Sequence, residues 1–209
     1  MAISEITGVI LAGGYSKRMG SNKSLLEING FTMIEHSHEL LKQIFNNIII
    51  STNEPELFEF IDSLRIKDIY PYLGPLAGIH AALSSVQSQK IFLVSCDMPF
   101  LQPSVINYLL KVQTEEMIVL PKARNRIEYL CGIYNKNILP VVENILKAVT
   151  DAKSRNEEVK NSALSMWNFV ERVGAEIVDI EFERFYFNDM FFNINTPEDF
   201  EYAKSRMIL

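Results

Sequence analysis

Short apolar runs alternate with segments of helical period along most of this 209-residue chain, and that alternation constrains the fold more than any single residue does. Residues 9–12 read as a buried strand. Residues 33–44 read as a helix with Ile34, Leu40, Leu41 and Ile44 inward, and the β-branched run 48–50 as a strand. A helix is expected over 55–64, where Leu57, Phe58, Phe60, Ile61 and Leu64 fall at helical spacing, and a short strand near 67–70. A helix rich in small residues over 76–86 follows, then a strand buried on both faces at 91–94, a helix over 104–112 and a strand at 117–120. Strands alternating with helices imply a parallel sheet covered on both faces, because parallel strands need a crossover that returns over the sheet. The expected architecture is a three-layer α/β/α domain around a mostly parallel, Rossmann-like sheet. Ligands of such sheets bind beyond the carboxyl ends of the strands.

Beyond residue 120 the rhythm loosens. A strand is expected at 129–134, and a helix over 138–149 with Pro140 tolerated in its first turn. The polar stretch 150–162 reads as an exposed loop or a frayed helix end, 164–173 as an amphipathic segment and 175–180 as a strand. Thr196-Pro197-Glu198-Asp199 is a strong helix start: cap, proline at the first position, acids in the first turn. With no repeat, low-complexity tract or clear linker, 1–209 is expected to be one domain. An apolar content of 48% argues against disorder, and a net charge of −6 against a nucleic-acid partner. Cys96 and Cys131 lie in apolar surroundings without metal-type spacing, as buried free thiols in a reducing cytoplasm would. No apolar run approaches the roughly 20 residues that span a bilayer, and the first residues lack the basic and apolar regions of a signal peptide, so no membrane partner is expected.

The chemistry concentrates where the first strand ends. The apolar run 9–12 stops at Gly13-Gly14 and continues as a loop carrying Ser16, Lys17, Arg18, Gly20 and Lys23. Glycines let backbone N–H groups approach an anion closely, and cations on the same loop neutralise it. A strand end of this kind suits a polyphosphate, hence a nucleotide. The spacing fits neither a Walker A loop nor the G-x-G-x-x-G of dinucleotide dehydrogenases.

Three other places fit the same site. Asp97, in Ser95-Cys96-Asp97-Met98-Pro99, falls at the carboxyl end of the most apolar strand. A carboxylate there suits Mg²⁺, a hard cation that takes oxygen ligands and bridges phosphates. Gly74-Pro75-Leu76-Ala77-Gly78 opens a helix with small residues, which permits either close approach to a base or ribose or tight helix–sheet packing. Asp68 is a candidate acceptor for a base or sugar donor group. Asn53, at the second strand's end, serves either similarly or as a cap. Asn193 and Asn195, two residues apart, share a face if extended, and can offer a carbonyl oxygen to a metal or an amide to a phosphate. His36, His38 and His80 lack metal-type spacing and are given no role.

These residues carry a resemblance. Leu11-Ala12-Gly13-Gly14-x-Ser16-x-Arg18-Met19-Gly20-x-x-Lys23 resembles the signature loop of the molybdenum cofactor guanylyltransferases, the MobA family. Asp68-x-x-Pro71-x-x-Gly74-Pro75-Leu76-Ala77-Gly78, Cys96-Asp97-Met98-Pro99 and Asn193-Ile194-Asn195-Thr196-Pro197-Glu198-Asp199 are similar to its other motifs, in the same order. The loop alone marks the wider nucleotidyltransferase superfamily, while the four motifs together are more specific. Where relatives often carry His-Pro or Gln-Pro, this chain has Glu128-Tyr129.

The resemblance implies a nucleotide-diphospho-sugar-transferase-like fold and a Mg²⁺-dependent transfer of GMP from GTP to the phosphate of molybdenum-molybdopterin, with release of pyrophosphate. By motif, Leu11, Ala12 and Gly13 would bind GTP through the backbone beside Gly14 and Ser16, and Lys23 would contact its phosphates. Ser51, Asn53, Asp68, Gly74, Pro75 and Leu76 would line the nucleotide pocket, and Asp97 would hold Mg²⁺ and touch the nucleotide. Arg18, Lys23 and Asp97 would be catalytic, and Asn193 or Asn195 would serve the metal or the acceptor. Residues 120–195 would form the acceptor-side part, and transient contact with other cofactor-biosynthesis proteins or recipient molybdoenzymes is expected. Rival readings are a cytidylyltransferase or sugar-phosphate nucleotidyltransferase, disfavoured by Gly14, and an inactive nucleotide-binding regulatory protein, disfavoured by Arg18, Lys23 and Asp97.

Overall fold

A computed structural model of the chain describes residues 6–13 and 22–207. In chain order the strands and α-helices are β1 (Ile6–Leu11), β2 (Glu27–Ile28), β3 (Phe31–Thr32), α1 (Met33–Lys42), β4 (Ile48–Ser51), β5 (Leu64–Ile66), α2 (Pro75–Ser85), β6 (Lys90–Ser95), α3 (Pro103–Leu109), β7 (Ile118–Ala123), β8 (Arg126–Ile127), β9 (Cys131–Asn135), α4 (Leu139–Ser154), α5 (Met166–Val173), β10 (Glu176–Asp179) and α6 (Pro197–Met207). The main sheet runs β10-β7-β9-β6-β1-β4-β5, with β8 pairing β7 beyond that path. Neighbours are parallel except where β9 and β8 enter: β9 pairs antiparallel with β6 and β7, and β8 antiparallel with β7. The mostly parallel α/β/α architecture is thus the one observed.

Alternating side chains of the central strands feed two cores. Ile6 and Ile10 of β1, with Phe92 and Val94 of β6, pack against Ile34 and Leu41 of α1 and Val105, Ile106 and Leu109 of α3. Val9 and Leu11, with Ile91 and Leu93, face Leu76, Ile79 and Leu83 of α2, Val142 and Leu146 of α4 and Phe169 of α5. Burial on both faces explains why these strands read as unbroken apolar runs. A third, smaller core joins Ile28 and Met33 to Ile194 and to Ala203 of α6. It clamps the C-terminal helix to the β2–β3 hairpin and thereby brings residues 193–195 to the mouth of the sheet.

Three expectations are corrected. The apolar spacing over 55–64 gives only a 3-10 turn, Pro55–Phe58, and Leu64 already starts β5. The carbonyls that a longer helix would use internally accept from the Arg65 guanidinium instead: Phe58 at 3.4 Å, Ile61 at 2.9 Å and Ser63 at 3.2 Å. The strand expected near 67–70 is Leu64–Ile66, paired in register with Ile49–Ser51, and 67–70 is loop. The polar stretch after residue 149 continues α4 as far as Ser154 before it leaves the helix.

Candidate active site

The carboxyl ends of β1, β4, β5 and β6 lie together, as the parallel register requires: Leu11 is opposite Ser51 on one side and Ser95 on the other. Beyond Leu11 the backbone is partly committed. The Ala12 N–H donates to the Ser51 carbonyl at 2.9 Å, and the Leu11 carbonyl accepts from Cys96 N–H at 3.2 Å. Among the described residues, the Ala12 carbonyl and the backbone of exposed Gly13 are the groups of this stretch without a hydrogen-bond partner. Gly14, Ser16 and Arg18 lie outside the described residues.

The chain returns at Asn22, whose side chain caps a 3-10 turn, Lys23–Leu25, by accepting from Ser24 N–H at 3.0 Å. Ser24 is buried and its hydroxyl meets the Cys96 thiol at 3.0 Å. Asn22 and Ser24 thus fix the turn from which Lys23 projects. The Lys23 ammonium donates to Asn195 Oδ1 at 2.8 Å and stands 3.8 Å from Asp97 Oδ2, with both side chains of that ion pair about one-fifth exposed. Ser95 Oγ donates to the other Asp97 oxygen at 2.6 Å. The Ile194 N–H donates to the Asp97 carbonyl at 3.0 Å, and Asn195 N–H to Asp199 Oδ2 at 2.8 Å, which hold the Asn195 segment against the β6 turn. Of the two expected amides, Asn195 enters this cluster. Asn193 turns away, its amide donating to Phe191 O at 2.8 Å.

On the β4–β5 side, Asn53 and Asp68 pair reciprocally. Asn53 Nδ2 donates to Asp68 Oδ2 at 2.8 Å, and Asp68 N–H to Asn53 Oδ1 at 3.3 Å. Asn53 therefore holds Asp68, whose Oδ1 has no hydrogen-bond partner among the described residues. Burial raises the Asp68 carboxyl above its ordinary value, against the Asn53 hydrogen bond that lowers it. Gly74 begins α2 at φ 75° and ψ −162°, a conformation that essentially only glycine adopts. Gly78 serves packing: a Cβ there would stand 2.7 Å from Leu11 Cδ2 and 3.1 Å from Ser51 Oγ. Leu76 is fully buried in the core, and Ser51 is buried under the helix, so Leu76 has only its backbone to offer a nucleotide.

Sequence reasoning gave no role to Asn22, Ser24 or Ser95, although each is a short polar side chain next to a named motif, the pattern of local turn caps. Nor did it find a role for Glu128. This carboxyl is buried, ion-paired with Arg126 at 2.9 Å, and pushed up to about 7 by burial, which outweighs the pull of Arg126; the Asp97 charge adds to the rise. Burial likewise pushes the Cys96 thiol up to about 12, so it stays a neutral packing group.

A carboxylate and an amide oxygen converging on one cation at the mouth of a parallel sheet, beside a glycine-ended strand, is an arrangement suited to phosphate and a hard metal. Comparison with known proteins gives the family. The model of the MobA-like NTP transferase domain matches residues 8–159. A probable molybdenum cofactor guanylyltransferase of Clostridium perfringens is 35% identical over 202 residues, covering 93% of this chain and 94% of its own. The molybdenum cofactor guanylyltransferase of Desulfosudis oleivorans is 31% identical, covering 78% of this chain and 89% of its own. Among solved structures, the molybdopterin-guanine dinucleotide biosynthesis protein A of Archaeoglobus fulgidus superimposes with a TM-score of 0.76 at 22% identity, covering 97% of this chain and 98% of its own, a likeness of fold. Matched by this domain over most of its length, the chain belongs to the MobA-like NTP transferases, in the family of the molybdenum cofactor guanylyltransferases.

Proposed function

We propose that this protein transfers GMP from GTP to the phosphate of molybdenum-molybdopterin, forming molybdopterin guanine dinucleotide and releasing pyrophosphate, with Mg²⁺ as the metal. The observation that carries the site reading is the placement of Lys23 between Asp97 and Asn195. Two hard oxygen donors already share a cation, and Mg²⁺ favours one or two protein oxygens, with phosphate and water completing its shell. Asp97 and Asn195 would hold it. Bound there, the metal supplies neutralisation of charge that develops on the reacting and leaving phosphates.

The residues do the rest by position and charge. The acceptor phosphate is ionised at neutral pH and needs no general base, so the α-phosphorus must only be presented in line to it. Gly13 and Lys23 hold the triphosphate, with Gly14, Ser16 and Arg18 completing the loop. By analogy with phosphoryl transfer, one well-placed cation contributes about 10³-fold. Asp68, held by Asn53, takes a donor group of the base or ribose, and Ser51, Gly74, Pro75 and the Leu76 backbone line that side. Residues 120–195 supply the acceptor side of one domain spanning 1–209. A cytoplasmic location, and transient contact with the proteins that supply or receive the cofactor, belong to the same reading. Among the described residues no helix is long and apolar enough to cross a membrane.

The test is nucleotide choice. With molybdenum-molybdopterin as acceptor, pyrophosphate release is expected with GTP and Mg²⁺, and little with CTP or ATP. Preference for CTP, or release that does not depend on the acceptor, would sink the proposal.

A further inference from the structure

The β7–β8 hairpin packs Lys122, Arg124 and Arg126 into a short stretch of a chain whose net charge is −6. Its tip is a left-handed pair, Arg124 at φ 50° and Asn125 at φ 59°, as tight hairpin turns require. The tip is held by Arg124 N–H donating to Glu181 Oε2 at 3.0 Å. Lys122 is occupied, 3.3 Å from Asp179 of β10.

Arg126 is arranged differently. Its Nε stands 2.9 Å from Glu128 Oε1; the Arg126 side chain is 70% exposed and the Glu128 side chain 8%. A buried carboxyl group therefore stands against the inner nitrogen of the guanidinium. Glu128 is the one hydrogen-bond or ion-pair partner of the Arg126 side chain among the described residues, and most of that side chain stays exposed. Its two terminal amino groups form a planar fork that matches two oxygens of a phosphate.

The sheet order places this fork. β7 runs parallel to β6 with β9 between them, so the hairpin continues past the carboxyl edge of the sheet on the side of Asp97 away from β1. Glu128 is tied to that edge from both neighbours. Its N–H donates to Pro121 O at 3.0 Å, and two residues on, Leu130 O accepts from Ser95 N–H at 2.9 Å, at the start of the Asp97 turn. The nucleotide groups Asp68, Asn53 and Gly13 all lie on the β1–β4–β5 side. An anion that approaches Asp97 from the opposite side meets Arg126.

We infer that Arg126 binds the phosphomonoester of the acceptor substrate, and that Glu128 is its positioning residue. The inference rests on the guanylyl-transfer reading, and it assigns the acceptor subsite to named residues. The acceptor carries a dianion that must approach a triphosphate against charge repulsion. A forked cation, anchored by a buried carboxylate, offsets that repulsion and fixes two of the three phosphate oxygens. The third is left to attack the α-phosphorus as the bond to pyrophosphate breaks.

The experiment separates acceptor binding from turnover. Molybdopterin is titrated by fluorescence onto protein loaded with Mg²⁺ and a non-hydrolysable GTP analogue, and steady-state rates are measured in parallel. Arg126→Ala should weaken molybdopterin binding by about tenfold or more while the affinity for the GTP analogue stays unchanged. Arg126→Lys should recover only part of the loss, because a point charge lacks the fork. Glu128→Gln should raise the acceptor KM with kcat and analogue affinity retained; a merely structural role would instead weaken analogue and acceptor binding together. Equal molybdopterin binding by wild type and Arg126→Ala overturns the inference and leaves guanylyl transfer standing. A wild-type protein that binds the GTP analogue but neither binds nor guanylylates molybdopterin overturns the functional reading and the inference with it.

Discussion

Lys23 donates to Asn195 across 172 residues of chain, and the same ammonium stands 3.8 Å from Asp97. The contact depends on the small third core, in which Ile194 and Ala203 pack on Ile28 and Met33 next to the Lys23 turn. Bound nucleotide would draw Lys23 onto its phosphates and free the two oxygens for the metal. Asn195→Ala should therefore raise the Mg²⁺ concentration needed for half-maximal rate several-fold, with a smaller effect on GTP affinity measured without metal. Lys23→Ala should do the reverse, weakening GTP binding with or without metal. Identical Mg²⁺ titrations for Asn195→Ala and wild type would remove Asn195 from the metal shell.

Asp97 joins three parts of the site: its side chain takes Ser95 Oγ on one oxygen with Lys23 beside the other, and its backbone carbonyl accepts from Ile194 N–H. Asp97→Ala should lower guanylyl transfer about 10³-fold or more without changing the melting curve greatly, since the side chain is not part of an apolar core. Ser95→Ala removes one charge-assisted hydrogen bond, and a loss of about tenfold in rate is expected. Substantial Mg²⁺-dependent turnover in Asp97→Ala, measured by pyrophosphate release, would rule out the metal role.

The Asn53–Asp68 pair makes a coupled prediction. Because both ends of the Asn53 amide bind Asp68, Asn53 should act on a nucleotide through Asp68. Each single alanine variant should raise the GTP KM, and the double variant should be little worse than Asp68→Ala alone. Additive effects in that double-mutant cycle would show that Asn53 contacts the nucleotide independently.

Legibility in the sequence followed the range of the forces involved. β1, β4 and β6 are plain as apolar runs because they are buried on both faces, and Gly74 is plain because its backbone conformation admits almost nothing else. The segment 55–64 misleads because Phe58 and Ile61 are indeed buried at helical spacing, while Arg65, further along the chain, collects the carbonyls. In the site, Asp97 and Lys23 carry local motifs, but the choice of Asn195 over Asn193 is made by long-range contacts to Lys23 and Asp97. Glu128 stands out in the sequence only as a departure from the relatives' His-Pro or Gln-Pro, which gives it no role. A glutamate next to a tyrosine reads as surface, and only the insertion of antiparallel β9 between β6 and β7 buries it beside the Asp97 turn.

Gly78 tests how closely α2 must lie on the sheet. An alanine there would push its Cβ against Leu11 and Ser51, at the strand ends proposed to line the nucleotide pocket. Gly78→Ala should lower stability by about 1–3 kcal/mol through overpacking. It should also weaken GTP binding, because relief comes from moving α2 away from Ser51 and Asp68. Denaturant melts and GTP titration read the two effects. A stable variant with normal GTP affinity would mean that the helix has slack the structure does not show.

Glu128 gives the fold a pH dependence of defined sign. In the folded protein its carboxyl keeps a proton up to about 7, whereas in the unfolded chain it loses the proton near its ordinary value of 4.5. Between those values the folded state binds more protons, so stability from this group is fully present below the lower value and is lost as pH rises through the window. The ceiling on that loss is about 3 kcal/mol, and attraction to Arg126 lies within it. Glu128→Gln carries no titrating proton, so its melting temperature relative to wild type should climb as pH goes from about 4.5 to about 7 and level off above. The hydrogen-bond acceptor that faces Arg126 is kept in that variant. A difference in melting temperature that is flat across the window would show that the Arg126 pair keeps Glu128 ionised in the fold, and burial would then have to be the weaker of the two influences.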